Sequence, residues 1–422
     1  MDEDVHPLGA SCKKGRRMGM NRIGVIGAGT MGSGIAQVAA QAGFEIILQD
    51  LSDALVQKGV EKIEKSLAKS VEKGRLISEE KERILRRIHV TTKMEGLRDA
   101  EMIVEAVFED LELKAGLFKQ LDGLCSPETI LASNTSTLSI TRMAAGVARS
   151  GRFLGTHFFN PVPVMRLAEV IPGLQSSQET VEEGIEFIKR IKKVPIVAKD
   201  CPGFLVNRIV MPYAGEAMLA AQEGAASPTE IDEAMKAAGF PMGPLALNDM
   251  VGIDVGVHTF PPMHEGYGER FPVPVLFVKL LEAGRLGLKS GKGIYVNGLV
   301  DDEFLEIIKK IQSESGIRRT EFSADRLILR QVNEAVWCLQ EKIASAEDID
   351  RAMVLGTGFP VDEKGMGGPL HWADERGLDW VLDKLNHYKD SLGSRFWPHF
   401  LLKQYVAAGY LGKKVRKGFF EY

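Results

Sequence analysis

Several protein classes are excluded by what the sequence lacks. Its four cysteines contain no CxxC pair and are scattered along the chain, at Cys12, Cys125, Cys201 and Cys338. Its eight histidines show no spacing typical of a metal site. We therefore predict neither a zinc site nor a disulfide framework, and the cysteine usage favours a reducing compartment.

The sequence also lacks an excess of basic residues and any long hydrophobic run. The net charge is -4, so the chain has no basic field for nucleic acid or an anionic membrane surface. No apolar run reaches the roughly 18 residues that a membrane helix needs. Since 45% of the residues are hydrophobic and 26% charged, the composition is that of an ordinary globular protein. We expect no nucleic-acid partner and no membrane partner.

Neither end of the sequence reads as a targeting signal. Residues 1–20 have no hydrophobic segment of the secretory type, and the early acids Asp2, Glu3 and Asp4 argue against a mitochondrial presequence. The last four residues, Phe-Phe-Glu-Tyr, do not form a peroxisomal signal. We expect a cytoplasmic location and a disordered leader at residues 1–20.

The first half of the sequence alternates short apolar runs with amphipathic stretches. The runs are residues 23–26, 45–49, 102–106, 129–132 and 194–198, and the stretches are residues 31–42, 53–73 and 111–124. Such alternation predicts parallel strands joined by helical crossovers, which is a doubly wound α/β sheet of the Rossmann type. We place this domain at residues 21–200 and predict a mainly helical remainder.

The helical remainder contains an internal repeat. Its segments recur in the same order, with an offset that grows around residues 356–367: Glu216 as Glu334, Ile231-Asp232 as Ile349-Asp350, Gly239-Phe240-Pro241 as Gly358-Phe359-Pro360, Gly243-Pro244-Leu245 as Gly368-Pro369-Leu370, and Gly284 with Leu286-Gly287 as Gly409 with Leu411-Gly412. Self-similarity of this kind indicates repeated structural units. We predict two tandem copies of one all-α domain, at residues 201–298 and 299–422.

A glycine-rich motif, GAGTMG, follows the first predicted strand and opens a helix. It contains Gly27, Gly29, Thr30, Met31 and Gly32. In a dinucleotide site the first glycine permits a tight turn, the second lets the backbone approach a pyrophosphate, and the third allows close packing of helix on strand. The motif alone is weak, but its position between a strand and a helix predicts a dinucleotide-binding loop.

An acidic residue ends the second predicted strand. Asp50 stands near the spacing from Gly32 that is expected of the group binding a ribose 2′-hydroxyl. A carboxylate there repels a 2′-phosphate, and no arginine follows among residues 51–53. We therefore predict NAD rather than NADP as the cofactor.

A histidine and a glutamate stand symmetrically around a proline turn. His157 and Glu169 are equally far from Pro163. If the flanking segments pair as an antiparallel hairpin, the two side chains lie opposite each other on one face. A carboxylate that holds an imidazole fixes its tautomer, which suits a general base taking the proton of an alcohol during hydride transfer. A satisfied histidine in a polar turn is the alternative.

Four motifs occurring in order resemble the L-3-hydroxyacyl-CoA dehydrogenase family, from about Asn21 to the end of the chain. They are GAGTMG, the SNTS segment at residues 133–136, HFFNPVPVM from His157 together with Glu169, and PGFLVNR at residues 202–208. The resemblance implies that His157 and Glu169 form a catalytic pair and that Ser136 and Asn207 contact the substrate oxygen. It further implies that Glu109 and Lys114 lie near the nicotinamide-side ribose. We also expect Asn134 on the cofactor side.

The function implied by the resemblance is oxidation of a (S)-3-hydroxyacyl-CoA to the 3-oxoacyl-CoA with NAD. Two alternatives stay open at this point. One is an NAD-dependent dehydrogenase of a free 3-hydroxy acid or sugar acid. The other is a non-catalytic NAD-binding scaffold of a β-oxidation complex.

A stripe of lysines follows one face of the second predicted helix. Lys58, Lys62, Lys65 and Lys69 recur every three or four residues. Such a stripe can attract the phosphates of coenzyme A, or it can be a solvated helix face. We predict that these lysines are candidate contacts of coenzyme A.

The duplication resembles the dehydrogenase half of multifunctional fatty-acid oxidation enzymes, here without a hydratase domain. The resemblance implies that members with a single helical copy are dimers joined through that copy. We therefore predict that the second copy packs on the first as an internal pseudo-dimer. A monomer is then compatible with the fold, while a higher homo-oligomer and association with an enoyl-CoA hydratase or thiolase stay open. Asn207-Arg208 corresponds to Asp325-Arg326 in the second copy, which therefore reads as structural.

Overall fold

The computed structural model describes residues 19–422, so almost all of the predicted leader lies outside the described residues. The strands within this range are β1 (Arg22–Ile26), β2 (Glu45–Gln49), β3 (Ile88–Thr91), β4 (Met102–Glu105), β5 (Ile130–Ser133), β6 (Phe153–Phe158), β7 (Leu167–Pro172) and β8 (Val194–Val197). The helices among the strands are α1 (Thr30–Gln41), α2 (Asp53–Glu72), α3 (Ser78–Leu85), α4 (Leu111–Leu124), α5 (Ile140–Ala144) and α6 (Gln178–Arg190). Along the chain these helices lie between the strands, and in the fold they pack around the sheet.

The strands form one sheet in the order β3-β2-β1-β4-β5-β6-β7-β8. All neighbouring strands run parallel except β6 and β7, which are antiparallel. The chain builds one side of the sheet from β1 to β3 and then crosses over to β4, so the strand order reverses between β1 and β4. Ligands of doubly wound sheets bind beside this point, at the carboxyl ends of the strands.

The interior strands are buried on both faces, as parallel sheets require. Every residue of β4 and of β5 is buried, and so is every residue of β6. Helix α2 begins after Ser52, whose side chain accepts a hydrogen bond from the backbone N–H of Leu55. The same cap opens α6, where Ser177 accepts from Thr180. These caps fix where the crossover helices start and therefore how they lie on the sheet.

Helices fill the rest of the described chain. They are α7 (Val206–Glu223), α8 (Pro228–Ala237), α9 (Pro244–Val251), α10 (Ile253–Tyr267), α11 (Val275–Glu282), α12 (Asp302–Ser315), α13 (Ala324–Gln340), α14 (Ala346–Thr357), α15 (Pro369–Arg376), α16 (Leu378–Leu392) and α17 (Phe400–Ala407). Within residues 19–422 no helix is long and apolar enough to cross a membrane. The predicted architecture, a doubly wound α/β sheet followed by helical copies, is confirmed.

The two helical copies use the same internal contacts. In the first, the carboxylate of Asp232 accepts from the N–H groups of Leu245 and Ala246. In the second, the carboxylate of Asp350 accepts in the same way from Leu370 and His371. The recurrence of Ile-Asp and Gly-Pro-Leu in the sequence therefore reflects one helix-capping device that is used twice.

The two copies face each other through helices α7 and α13. Arg208 of α7 pairs with Glu334 of α13 at 2.8 Å, and Arg326 of α13 pairs with Glu216 of α7 at 2.7 Å. Arg208 also binds Glu341 at 2.8 Å. The two arginines correspond to each other in the repeat, as do Glu216 and Glu334, so the ion pairs are exchanged in the manner of a twofold-symmetric dimer.

The predicted elements are recovered with shifts of one or two residues at their ends. Strand β3 was not predicted, because its residues are intermediate or exposed and it carries His89 where an apolar residue would have been a clearer signal. Helix α12 lies between the last recurring segment of the first copy, at Leu286-Gly287, and the first recurring residue of the second, Glu334, and it packs against α7 and α11. The domain boundaries at 200/201 and 298/299 stay predictions.

Candidate active site

The glycine-rich loop connects β1 to α1 at the carboxyl edge of the sheet. Gly27 has φ 93°, and an added Cβ would come within 2.6 Å of the Ala106 carbonyl oxygen. At Gly32 it would come within 1.7 Å of the Gly27 carbonyl oxygen. An added Cβ at Gly29, in contrast, would meet no protein atom within 4 Å. The outer two glycines are therefore required by packing, while Gly29 leaves its space to a ligand.

A pyrophosphate fits this space. Thr30 and Met31 begin helix α1, and the first turn of that helix contains no acidic residue. Its N–H groups and the positive end of the helix dipole therefore face the loop without a competing carboxylate. The residues of the motif could hold a dinucleotide by the backbone, as the sequence predicts.

Asp50 closes the loop from the end of β2. One carboxylate oxygen accepts a hydrogen bond from the N–H of Ala28 at 2.7 Å, and the other accepts from the N–H of Leu51 at 2.7 Å. The acid that the sequence assigns to the ribose is thus held beside the glycine loop. Its contact with a ribose hydroxyl stays a prediction.

His157 and Glu169 lie opposite each other on the antiparallel strands β6 and β7. They are direct partners in the strand register, and His157 Nδ1 lies 2.5 Å from Glu169 Oε2. His157 is 5% exposed and Glu169 is fully buried. The hairpin geometry predicted from Pro163 is confirmed, and the imidazole leaves Nε2 as the nitrogen free for another partner.

Glu169 also binds the start of α7. Its Oε1 accepts from the N–H groups of Leu205 at 3.2 Å and Val206 at 3.0 Å. The chain reaches this position through two successive left-handed residues, Gly203 with φ 75° and Phe204 with φ 50°. Only glycine adopts that conformation freely, so the turn explains why the sequence has glycine before the helix. One carboxylate therefore holds both the imidazole and the first turn of α7.

Asn207 and Ser136 meet at the junction of the sheet and α7. Asn207 Nδ2 donates to the backbone oxygen of Ser136 at 3.3 Å. The Ser136 side chain is exposed, while the preceding Asn134 accepts from the N–H of Phe158 at 3.0 Å. The structure thus brings the predicted substrate-contacting residues beside the strand that carries the histidine.

Glu109 ties the β4 and β5 edges together. Its Oε1 accepts from Thr135 Oγ1 at 2.5 Å and from the Ser136 N–H at 2.8 Å. Its other oxygen lies 3.4 Å from Lys114 Nζ. Thr135 belongs to the SNTS segment but was not singled out from the sequence, where nothing distinguishes it from an ordinary turn residue.

Lys114 is fully buried beneath this edge. Its ammonium lies 2.8 Å from Glu105 Oε1 and 3.3 Å from the Asn134 backbone oxygen. Burial raises the pKa of Glu105, and Lys114 opposes that shift. The predicted nearness of Lys114 to a ribose stays a prediction; in this structure its side chain reaches the site through Glu109.

Lys193 supports the turn between β6 and β7. Its ammonium donates to the backbone oxygens of Val162 at 2.6 Å and Met165 at 2.5 Å. Burial lowers the pKa of Lys193 to about 8. Sequence reasoning missed this residue, because a lysine thirty residues from the turn gives no local signal of the contact.

The candidate lysines of α2 are all exposed. Lys58, Lys62, Lys65 and Lys69 lie on the surface, and none of them forms an ion pair with a residue of the described chain. Buried positions such as Ile63 and Leu67 occupy the opposite face of the helix. The stripe is therefore free to contact a ligand, although its exposure is equally typical of a solvated helix face.

Two family models match the chain. The model of the 3-hydroxyacyl-CoA dehydrogenase NAD binding domain matches residues 22–201. The model of the 3-hydroxyacyl-CoA dehydrogenase C-terminal domain matches twice, at residues 203–297 and 322–422. The first match identifies NAD as the cofactor that the glycine loop accommodates. The second repeats the duplication that the sequence itself indicates.

Relatives known by sequence are fatty acid oxidation complex alpha subunits. That of Shewanella amazonensis is 38% identical over 392 residues, which are 91% of this chain and 55% of the relative. That of Psychrobacter cryohalolentis is 37% identical over 403 residues, with 92% and 55% covered. The chain therefore spans little more than half the length of these relatives.

Solved structures similar to this chain include two 3-hydroxybutyryl-CoA dehydrogenases. A 3-hydroxybutyryl-CoA dehydrogenase from Escherichia coli superposes with a TM-score of 0.84 at 31% identity, covering 93% of this chain and all of that chain. An (S)-3-hydroxybutyryl-CoA dehydrogenase from Ralstonia eutropha is 43% identical with a TM-score of 0.64, covering 66% of this chain and 99% of its own. Since family models match the nucleotide domain and both helical copies, the chain belongs to the 3-hydroxyacyl-CoA dehydrogenase family.

Proposed function

We propose that the protein oxidises the 3-hydroxyl group of a (S)-3-hydroxyacyl-CoA to a ketone, reversibly, with NAD. The observation that carries this proposal is the His157–Glu169 pair, held at 2.5 Å at the carboxyl edge of a sheet that bears the glycine loop. The name of the Escherichia coli neighbour specifies a 3-hydroxybutyryl-CoA substrate, which supports the choice of a coenzyme A thioester.

His157 acts as the general base in this proposal. Because Nδ1 is engaged by Glu169, Nε2 is the nitrogen that takes the hydroxyl proton. Glu169 fixes the tautomer and stabilises the imidazolium that forms, and its burial keeps water away from the pair. NAD, when bound, supplies the acceptor for the hydride from C3.

Ser136 and Asn207 polarise the substrate oxygen. The Ser136 hydroxyl and the second N–H of the Asn207 amide are uncharged donors, and such donors stabilise an oxygen that gains negative charge. Asn207 already uses one N–H on the Ser136 backbone, which positions the two groups together. Ser136 is not a nucleophile here, since hydride transfer needs no covalent intermediate.

Substrate choice tests the proposal. We expect the rate constant kcat/KM for 3-hydroxybutyryl-CoA with NAD to exceed that for free 3-hydroxybutyrate or gulonate by roughly a hundredfold or more, because the free acids lack the binding energy of the coenzyme A moiety. Steady-state oxidation followed by NADH absorbance measures it. Equal rates would favour a free-acid dehydrogenase, and no turnover of any of them would favour the scaffold alternative.

The α2 lysines are proposed to contact the coenzyme A phosphates. Replacing Lys58, Lys62, Lys65 and Lys69 together by glutamine should raise KM for 3-hydroxybutyryl-CoA by roughly three- to tenfold at low salt, since exposed charges act weakly and are screened. A 3-hydroxybutyryl thioester of N-acetylcysteamine carries no phosphate, so its KM should not change. The control is Lys309→Gln with Lys310→Gln, two exposed lysines of α12. A normal KM for the coenzyme A substrate in the quadruple variant would contradict this contact.

The assembly and location of the protein stay proposals as well. The exchanged ion pairs between α7 and α13 support an internal pseudo-dimer, which would let a monomer bury the surface that single-copy members pair. The relatives are called complex subunits, which favours association with a hydratase or thiolase. We retain a cytoplasmic location from the sequence alone.

A further inference from the structure

The second helical copy carries an insertion that the first copy lacks. Between the recurring Gly-Phe-Pro and Gly-Pro-Leu segments, residues 361–367 stand where the first copy has only Met242. The insertion forms a small hairpin, with a bridge between Val361 and Gly367. Asp362 shapes it, because Asp362 Oδ1 accepts from the N–H groups of Lys364 and Met366, both at 2.9 Å. The other carboxylate oxygen, Oδ2, makes neither of these hydrogen bonds.

That free oxygen meets a histidine and a glutamate of α15. His371 Nε2 lies 3.7 Å from Asp362 Oδ2 and 3.5 Å from Glu375 Oε1. The three ligand atoms all lie within 4.8 Å of one another. At the corresponding positions of α9 the first copy has Ala246 and Met250. The cluster therefore belongs to the second copy alone, and one of its three residues, Asp362, lies on the insertion.

The histidine of this cluster has a buried nitrogen without a partner. His371 is 6% exposed, and Nε2 makes no hydrogen bond although it is shielded from solvent. A buried polar atom of this kind costs free energy unless something occupies the space in front of it. The space in front of Nε2 is flanked by two carboxylates, a setting that suits a cation.

The other ring nitrogen of His371, Nδ1, lies beside the hydroxyl group of Tyr422. Asp374 accepts from two backbone N–H groups and from the Tyr422 hydroxyl at 3.1 Å. The Tyr422 oxygen also lies 3.3 Å from His371 Nδ1, so it can accept from Nδ1–H while the hydroxyl donates to Asp374. A proton on Nδ1 would leave the lone pair of Nε2 facing the two carboxylates, where a cation could bind it. This is the arrangement by which outer-shell groups orient a metal-ligating histidine.

We propose that Asp362, His371 and Glu375 bind a divalent cation of the zinc type, with a water as the fourth ligand. Bonds of about 2.0–2.2 Å in a tetrahedral site separate the ligand atoms by about 3.4 Å, and the two distances from Nε2 match this separation. An imidazole with carboxylates suits zinc over magnesium, which prefers oxygen ligands and octahedral geometry. Bound in this way, the cation fastens the insertion to α15.

Lys413 competes with the cation for one ligand. Its ammonium forms a short ion pair with Glu375, and its side chain is 42% exposed. It can therefore swing into solvent when a doubly charged ion takes its place. The cluster opens on a cleft of about 1040 Å³ lined by Arg166, Met366 and Lys413, which gives an ion a path to the site.

Metal binding by the whole chain, freed of metal with a chelator, tests the proposal. Isothermal titration with Zn²⁺ should show one equivalent bound, and Mg²⁺ should bind at least roughly a hundredfold more weakly. His371→Ala should weaken zinc binding by at least roughly a hundredfold, and Tyr422→Phe by roughly tenfold because it removes the outer-shell contact. Lys413→Gln should strengthen it by roughly tenfold, since a competing charge is lost.

The matched control is His387→Ala, which removes an exposed histidine of the neighbouring helix α16 and should leave zinc binding unchanged. Glu375→Gln repeats the test at an exposed position where folding is not at risk, and the visible spectrum of bound Co²⁺ reports tetrahedral geometry in each variant. If the chain binds no zinc, or if His371→Ala and Glu375→Gln bind it as tightly as the parent, the proposal is overturned. A proton shared within the cluster would then be its occupant.

Discussion

Replacing His157 by alanine should lower kcat for 3-hydroxybutyryl-CoA oxidation by a factor of roughly 10² to 10⁴, which is the range that a positioned general base contributes. The imidazole is the only titratable group that the described hairpin presents beside Glu169, and its Nδ1 is already engaged. Without Nε2 the hydroxyl proton has no acceptor as the hydride leaves. Steady-state kinetics, combined with titration of NADH fluorescence, measures the loss and shows whether cofactor affinity is retained.

His258→Ala is the matched control, because His258 is an exposed histidine of α10. It should leave kcat and NADH affinity unchanged. His157 is a sharper choice than Glu169, since Glu169 also accepts from Leu205 and Val206 and its replacement would disturb the start of α7. A His157→Ala enzyme with normal kcat would remove the base assignment, whereas loss of NADH binding would show that the substitution had damaged the fold.

The hairpin that pairs His157 with Glu169 could be predicted because the information for it is local in the sequence. A turn centred on Pro163 and the two-residue period of a strand suffice to place His157 opposite Glu169. The glycine loop is local in the same sense, since φ of 93° at Gly27 is required by the turn itself. Lys193 could not be found in this way, because its two carbonyl partners are brought to it only by the pairing of β7 with β8.

The duplication was equally visible, but what holds the copies together was not. The correspondence of Glu216 with Glu334 marks them as related positions without saying that each meets an arginine of the other copy. Burial of Arg208 and Arg326, each 0–1% exposed, depends on the packing of α7 against α13. Charged residues are rarely buried unless paired, so sequence reasoning assigns them to the surface by default.

Glu216 carries the second large effect, because it lies at the centre of the contact between the copies. It is 1% exposed and accepts from Arg326 at 2.7 Å and from Arg395 at 2.7 Å. Burial alone would raise its pKa, but Arg395 and Arg326 outweigh burial and lower the pKa of Glu216 to about 2. The carboxylate is therefore ionised in the folded protein and neutralises buried guanidinium groups.

Glu216→Gln should lower the free energy of unfolding by about 3–5 kcal/mol at pH 7, since Arg326 and Arg395 then lose one of their two carboxylate partners and keep only Glu223. Urea denaturation of parent and variant measures the difference. The effect should reach the active site only through stability, because Glu216 lies about two and a half helical turns along α7 from Asn207. At low urea the variant should therefore have the same KM for 3-hydroxybutyryl-CoA as the parent.

Urea denaturation at low pH tests how the stability contribution of Glu216 depends on pH. A carboxyl whose folded pKa lies below its ordinary value of 4.5 stabilises the fold above pH 4.5, and that stabilisation is lost as the pH falls towards 2. The difference in free energy of unfolding between the parent and Glu216→Gln should therefore be smaller by roughly 2 kcal/mol at pH 3 than at pH 7. Glu306→Gln is the control, since its pair with Lys309 is exposed and should contribute less than about 0.5 kcal/mol at either pH. If the difference for Glu216 were equally small, the ion pairs of Glu216 would not contribute to holding the two copies together.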